Sequence, residues 1–155
     1  ILISNHTQNS WLSDWDLTAD NTGNCVLAFN DVRDGNANVY AYKVSSSGTF
    51  EWGADGIALT TATEDEYAPK ICVDGQNNTL VVWERPATPH TQVVLQKIEP
   101  NGTLTWGSQG IAYQAGTQDY TGPVGIGLSD DSFIVAFYKQ TGPSYSPTRH
   151  VYAQK

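Results

Sequence analysis

The sequence predicts an all-β protein of the β-propeller type: three four-stranded antiparallel sheets, stacked. Three observations carry that prediction. The chain repeats itself with a period of 54 residues: positions 39–53 return without a gap as 93–107, and Gly56-Ile57-Ala58-Leu59 returns as Gly110-Ile111-Ala112-Tyr113. A third copy opens at Pro123, in register with Pro69, and runs to Val151-Tyr152-Ala153-Gln154-Lys155. A fixed period of this size marks stacked supersecondary units, none able to bury its apolar face alone. Each copy also divides into short β-branched and aromatic runs separated by Gly-, Asn- and Pro-rich turns. Finally, no segment keeps the i, i+3, i+4 apolar spacing of a helix for more than one turn.

The second copy shows the elements in order. Pro69-Lys70-Ile71-Cys72-Val73 is a first strand, ended by the turn Asp74-Gly75-Gln76-Asn77-Asn78. Asp-Gly supplies the positive φ that tight hairpin turns need. Thr79-Leu80-Val81-Val82-Trp83 is a second strand, since β-branched and aromatic residues suit a pleated, half-buried surface. Residues 84–92 contain Pro86 and Pro89; proline cannot donate to a ladder, so this stretch is expected as a loop. Residues 93–98 form a third strand, Pro100-Asn101-Gly102 a turn, and Gly110-Ile111-Ala112-Tyr113 a short fourth strand. Four short antiparallel strands per repeat describe a propeller blade.

The other copies follow the same plan. Residues 14–20 open the first. Gly125-Ile126-Gly127-Leu128 opens the third, with glycines in place of bulky residues. Close packing of an innermost strand explains them first; approach of a ligand to the backbone is the second reading. Ile1-Leu2-Ile3-Ser4 resembles Ile57-Ala58-Leu59-Thr60 and is expected as a fourth strand, while the chain stops after a third. The repeats then run at about 1–53, 54–107 and 108–155. Three blades are too few to close a ring of four to eight. The expectation is therefore half, or less, of a larger ring, with a homodimer completing six blades.

Composition narrows the function classes. Net charge is −8, and the acids are scattered without any basic stripe, so nucleic acid is a poor partner. No apolar run approaches the roughly 20 residues of a membrane span, so membrane insertion is not expected. Few charges beside many Thr, Ser, Asn and Gln fit an exported, extracellular or cell-surface β protein. With neither Met nor leader, the chain starts mid-pattern and reads as a mature product or a piece of a longer array. Cys25 and Cys72 are not repeat-equivalent; one disulfide and two separate thiols both remain open. His6, His90 and His150 stand far apart in expected loops, so neither a metal nor another cofactor is expected.

The pattern Leu80-Val81-Val82-Trp83-Glu84, a variable loop, Val151-Tyr152-Ala153-Gln154-Lys155, then Asn101-Gly102 through Trp106-Gly107 and Gly110-Ile111 resembles the propeller-like repeats of secreted and cell-surface bacterial proteins of Bacteroidetes type. The segment Asn30-Asp31-Val32-Arg33 is similar to that family's acidic-x-Arg loop. The resemblance implies an exported propeller segment and no particular activity. The turns 48–52 and 102–106 are similar to the Asp-box of sialidase-type propellers. They lack its aspartate, having Ser46 and Pro100 instead, and carry their Trp one position late.

Two kinds of ligand chemistry are weighed on this scaffold. Glycoside hydrolysis needs two carboxylates about 5 to 10 Å apart. Asp31, Asp34 and Glu84 follow second strands, where loops of a ring converge; solvated or turn-capping acids are the plainer reading. Arg33, Arg85 and Arg149 share the loop between second and third strands and would bind an anion or a sugar acid bidentately. Pairing of each with a nearby acid is the plainer account. Repeating aromatics (Trp52 with Trp106; Trp83 with Phe29 and Phe137) read as core. The non-repeating Trp11, Trp15, Tyr67, Tyr120 and Tyr145 are better candidates for stacking on sugars. Residues 142–147 lengthen the third copy's loop by four, and such insertions often carry specificity. Asn5, Asn77 and Asn101 each begin an N-glycosylation pattern. No nucleophile motif such as G-x-S-x-G is present. The expected role is a non-catalytic extracellular binding or scaffolding module for glycans or proteins, with ligand candidates Asp31, Arg33, Glu84, Arg85, Tyr67, Tyr120 and Tyr145. A glycoside-acting propeller enzyme, or a piece of one, and a structural repeat spacer are the alternatives.

Overall fold

A computed structural model describes residues 1–6, 14–114, 116–143 and 145–155. Three antiparallel sheets follow one another along the chain. The first contains β1 (Trp15–Ala19), β2 (Cys25–Asp31), β3 (Asn38–Val44) and β4 (Ile57–Ala58), in that spatial order. The second repeats it with β5 (Tyr67–Val73), β6 (Thr79–Pro86), β7 (Thr91–Ile98) and β8 (Ile111–Tyr113). The third has three strands rather than the expected four: β9 (Asp119–Gly127), β10 (Phe133–Thr141) and β11 (Thr148–Gln154).

The 54-residue repeat reappears in the hydrogen bonds. Gly48 N–H donates to Ser45 O and Gly102 N–H to Glu99 O; Glu51 N–H reaches Lys43 O as Thr105 N–H reaches Lys97 O. Both glycines sit at positive φ, +87° and +93°, where a side chain would be strained. Each turn delivers a short fourth strand to its own third strand, pairing Ala41 with Ile57 and Leu95 with Ile111.

Alternation along the strands decides what each sheet buries. Val26, Ala28, Val39, Ala41 and Leu59 of the first sheet region meet Val81, Trp83, Val94 and Ile98 of the second. The opposite face of the second sheet, through Leu80, Val82, Val93 and Leu95, meets Tyr120, Val135 and Phe137 of the third. Every fully buried Val or Leu in these layers contributes about 1.5–3 kcal/mol. Trp83, Phe29 and Phe137, at one repeat position, are all buried, as is Trp52. A Cβ on Gly127 would lie 2.2 Å from Val73 O, and one on Gly125 3.2 Å from Cys72 Sγ and Leu80 Cδ2. The two glycines let β9 lie close against the second sheet, which is the packing reading of that segment.

Three expectations are corrected, and the choice left open for the two cysteines is decided. Strand β6 runs on through Glu84 and Arg85 to Pro86, paired with Thr91, so the loop shrinks to residues 87–90. Pro86 is accommodated because it is the terminal pair, beyond the last β5 partner at Glu84. Residues 1–5 form no strand; Ile3 instead packs beside Phe29, Tyr40 and Tyr42 on the outer face of the first sheet. His150 lies in β11 and not in a loop. Cys25 and Cys72 are free thiols on different sheets.

Successive sheets are also tied through their first hairpin turns. Asp20 accepts N–H bonds from Thr22 and Asn24, and Asp74, its repeat equivalent, from Gln76 and Asn78. Such aspartates hold a turn by standing in for a backbone acceptor. Asn21 then donates to Asn77 Oδ1 and Asp74 O at 2.8 Å each, and Gly75 N–H to Leu128 O at 2.9 Å.

Candidate functional site

The loop end that follows β2, β6 and β10 holds most of the residues picked out from sequence. Arg33 folds back onto Asp31, its Nε 2.9 and 3.0 Å from the two carboxylate oxygens and its Nη2 2.5 Å from one of them. Nη2 also donates to Tyr42 OH at 3.0 Å, and Nη1 to Asp55 O at 2.8 Å. The guanidinium carbon lies 3.7 Å from the Tyr40 ring centroid, a cation–π contact. Burial works against the charge on Arg33, but Asp31 and Tyr42 outweigh it and hold the group above the ordinary guanidinium range. Tyr40 is pushed up by burial and by the hydrogen bond it donates to Asp34.

Arg85 makes the corresponding closure in the second sheet. Its Nε and Nη2 reach Glu66 Oε1 at 3.1 and 2.7 Å. Glu66 is fully buried and also accepts from Thr60 Oγ1 at 3.0 Å and Val39 N–H at 3.3 Å. One carboxylate thus joins the end of the first sheet to the second. Nothing periodic marks Glu66, which sits in the connection between sheets. Its only signal in the sequence is the acidic run Glu64-Asp65-Glu66 before an aromatic.

Asp31, Arg85 and Lys139 occupy one repeat position, and each charge is resolved differently. Asp31 takes Arg33 and Arg85 takes Glu66. Lys139 lies over two rings, 5.1 Å from the Tyr120 centroid and 4.1 Å from that of Tyr152. Arg149 is exposed on β11 and donates to Gln140 Oε1 at 3.0 Å, so it has an amide partner and not the expected acid.

The remaining candidates at this end make separate contacts and do not converge on one site. Glu84 Oε1 accepts the Gly122 N–H at 2.6 Å. Tyr67 is half-buried and its hydroxyl donates to Asp65 at 2.9 Å; burial and that bond raise its pKa. Tyr120 is buried, stacked on Phe137 at 5.3 Å, and offers no face to a sugar. Tyr145 in the lengthened loop is 89% exposed. Trp15 is exposed, and Trp11 lies outside the described residues.

Two clefts open on the molecule, the first at this loop end and the second at the opposite, hairpin-turn end. One of about 290 Å³ is lined by Asp34, Asn36, Asn38, Thr60 and Thr61, a polar wall of amides and hydroxyls. The other, about 300 Å³, opens between the second and third sheets beside Trp106, Lys97, Asp131 and Phe133. Among the described residues no group of three or more His, Cys, Asp or Glu is placed to hold a metal ion. Nor is any helix long and apolar enough to cross a membrane. No family model matches the chain, and no curated protein matches it.

Proposed function

We propose that this protein is a non-catalytic, extracellular binding or scaffolding module of the β-propeller type, and that its end faces recruit further sheets of its own kind. One observation carries the reading: both ends of the stack expose apolar residues whose repeat equivalents pack between sheets. On the third sheet Ile126 is 58% and Val151 69% exposed, and Cys72, the equivalent of Ile126, packs into the second interface. Val93, the equivalent of Val151, is fully buried against that same sheet. On the outer face of the first sheet Trp15 is 62% and Leu17 53% exposed, and Ile71, the equivalent of Leu17, packs into the first interface. Exposed apolar surface of this kind marks an interaction site. The partner fitting both ends is a second copy docked head to tail, which would bring six sheets together.

A glycan or protein ligand would then meet the loop end, where Tyr145 stands clear and the polar cleft at Asn36 and Thr60 opens. A glycoside-acting enzyme finds less support. It needs two carboxylates open to one bond, while Asp31 and Glu66 are closed by arginines and Glu84 holds a backbone N–H.

Light scattering with intact mass spectrometry tests the assembly. The expected particle has twice the 16.9 kDa chain mass, and Ile126→Lys should return it to a monomer. Since each copy carries −8, added salt should tighten association by screening like charges. A 16.9 kDa monomer at every protein and salt concentration would overturn the reading.

A further inference from the structure

The cleft beside Trp106 has a filled counterpart in the same molecule. Trp106 is the repeat equivalent of Trp52. Trp52 is buried, and its indole N–H donates to Pro100 O at 3.1 Å. It reaches across the first interface onto the turn that carries the second sheet's fourth strand. Gly102 of that turn lies against the indole: a Cβ there would stand 3.0 Å from Trp52 Cδ1. Trp106 points the same way across the second interface but is only half-buried, and the 300 Å³ cleft lies beside it.

The strand edge next to that cleft tells the same story. Strands β3 and β7 each pair with a short fourth strand, at Ala41–Ile57 and Leu95–Ile111. In the third sheet β11 pairs with β10 and is that sheet's outermost strand. All seven of its residues are exposed. Lys155 matches Lys97 in the repeat, so Tyr152 and Ala153 take the places of Val94 and Leu95, the residues that pair Ala112 and Ile111. Among the described residues no strand pairs with this edge, and such an edge is a template for a further strand.

We infer that β11 and the Trp106 cleft together form a docking site for a β-arm of stated chemistry: a tight turn with glycine at positive φ, leading into a short apolar strand. The turn seats on the indole and its carbonyl accepts the Trp106 Nε1–H. The strand that follows pairs with Tyr152 and Ala153. The two complete sheets specify this occupant, because each supplies such an arm to itself: Ser45-Ser46-Ser47-Gly48 leading to Ile57-Ala58, and Glu99-Pro100-Asn101-Gly102 leading to Ile111-Ala112. Lys97, held by Asp131 at 2.9 Å, borders the cleft.

The test appends a copy of residues 98–113 directly after Lys155, so that the arm is present at high effective concentration. Amide hydrogen exchange of β11 is read by mass spectrometry, with and without the arm. Docking should slow exchange at Ala153, whose equivalents Ala41 and Leu95 face their fourth strands, at least tenfold and raise the melting temperature. An arm carrying Gly102→Ala, or a host carrying Trp106→Phe, should lose most of that protection while the first two sheets exchange as before. If β11 exchanges equally fast with the arm attached, the site does not exist as described. Full protection retained by both variants would likewise remove the cleft from it. Concentration-dependent protection in the unextended chain, abolished by deleting residues 1–5, would give the edge to the Ile1–Ser4 segment of another copy and overturn the assignment. Each readout is independent of the oligomer mass.

Discussion

Replacing Arg85 with methionine should be among the most damaging single changes in this protein. The guanidinium makes two charge-assisted hydrogen bonds to Glu66, at 2.7 and 3.1 Å. Methionine keeps much of the stem's volume and removes both bonds together with the charge. Glu66 stays where Thr60 and Val39 hold it, fully buried and without its cation. Leaving one partner of a buried ion pair uncompensated typically costs about 3–5 kcal/mol. For a chain of this length that corresponds to roughly 10 °C in melting temperature. Urea unfolding of the wild type, Arg85→Met, Glu66→Gln and the double variant measures it. The double variant should be more stable than Arg85→Met alone, since a neutral amide needs no counter-charge. A loss below about 1 kcal/mol for Arg85→Met, or a double variant less stable than that single, would refute the claim that the pair, and not the stem's packing, closes this interface.

Four more changes separate the other contributions. Gly127→Ala puts a Cβ 2.2 Å from a backbone oxygen and should cost about 1–3 kcal/mol or more. Gly125→Ala meets only the movable ends of Cys72 and Leu80 and should cost clearly less; the order of the two urea midpoints checks this. Burial would raise the Asp20 pKa, but Lys43, Asn24 and Thr22 outweigh it and hold the carboxyl far below its ordinary 3.8. A depressed folded pKa means stability that is full above the unfolded value and lost as pH falls below about 4. Asp20→Asn should therefore flatten the pH dependence of stability between about pH 4 and pH 2, read from urea midpoints. The indole N–H of Trp83 is buried with no partner among the described residues. Trp83→Phe deletes it and restores the residue type found at positions 29 and 137. It should cost less than about 1.5 kcal/mol, well under the roughly 3–5 kcal/mol of a Trp→Ala truncation, as measured by thermal unfolding.

The repeat was legible because it is written in residues that each have one local job. Gly48 and Gly102 turn the chain, and Trp52 with Trp106 and Trp83 with Phe137 recur at fixed distance. Strand pairing then follows from alternation alone. Pro86 was misread because a terminal ladder position tolerates proline, and no local pattern reveals where a neighbouring strand stops. Ile1-Leu2-Ile3 has the composition of a fourth strand, yet strand formation needs an edge to pair with, and Ile3 found an aromatic face instead. At the loop end, sequence brought Asp31 and Arg33 together because they are two residues apart. Glu66 and Arg85 are nineteen apart, and only folding joins them. Tyr120 looked like a free aromatic until the stack placed Phe137 against it.

The turn-to-turn bonds from Asn21 to Asp74 and Asn77, and from Gly75 to Leu128, fix more than two contacts. They set the rotation from each sheet to the next at the end opposite the Arg85–Glu66 pair, which ties the first sheet to the second, and the Gly122–Glu84 bond, which ties the second to the third. Pinned at both ends, neighbouring sheets cannot fan open about either one. The stack therefore behaves as a stiff wedge, not a hinged one. Any partner joining an outer face inherits an angle already written into the two interfaces inside the chain.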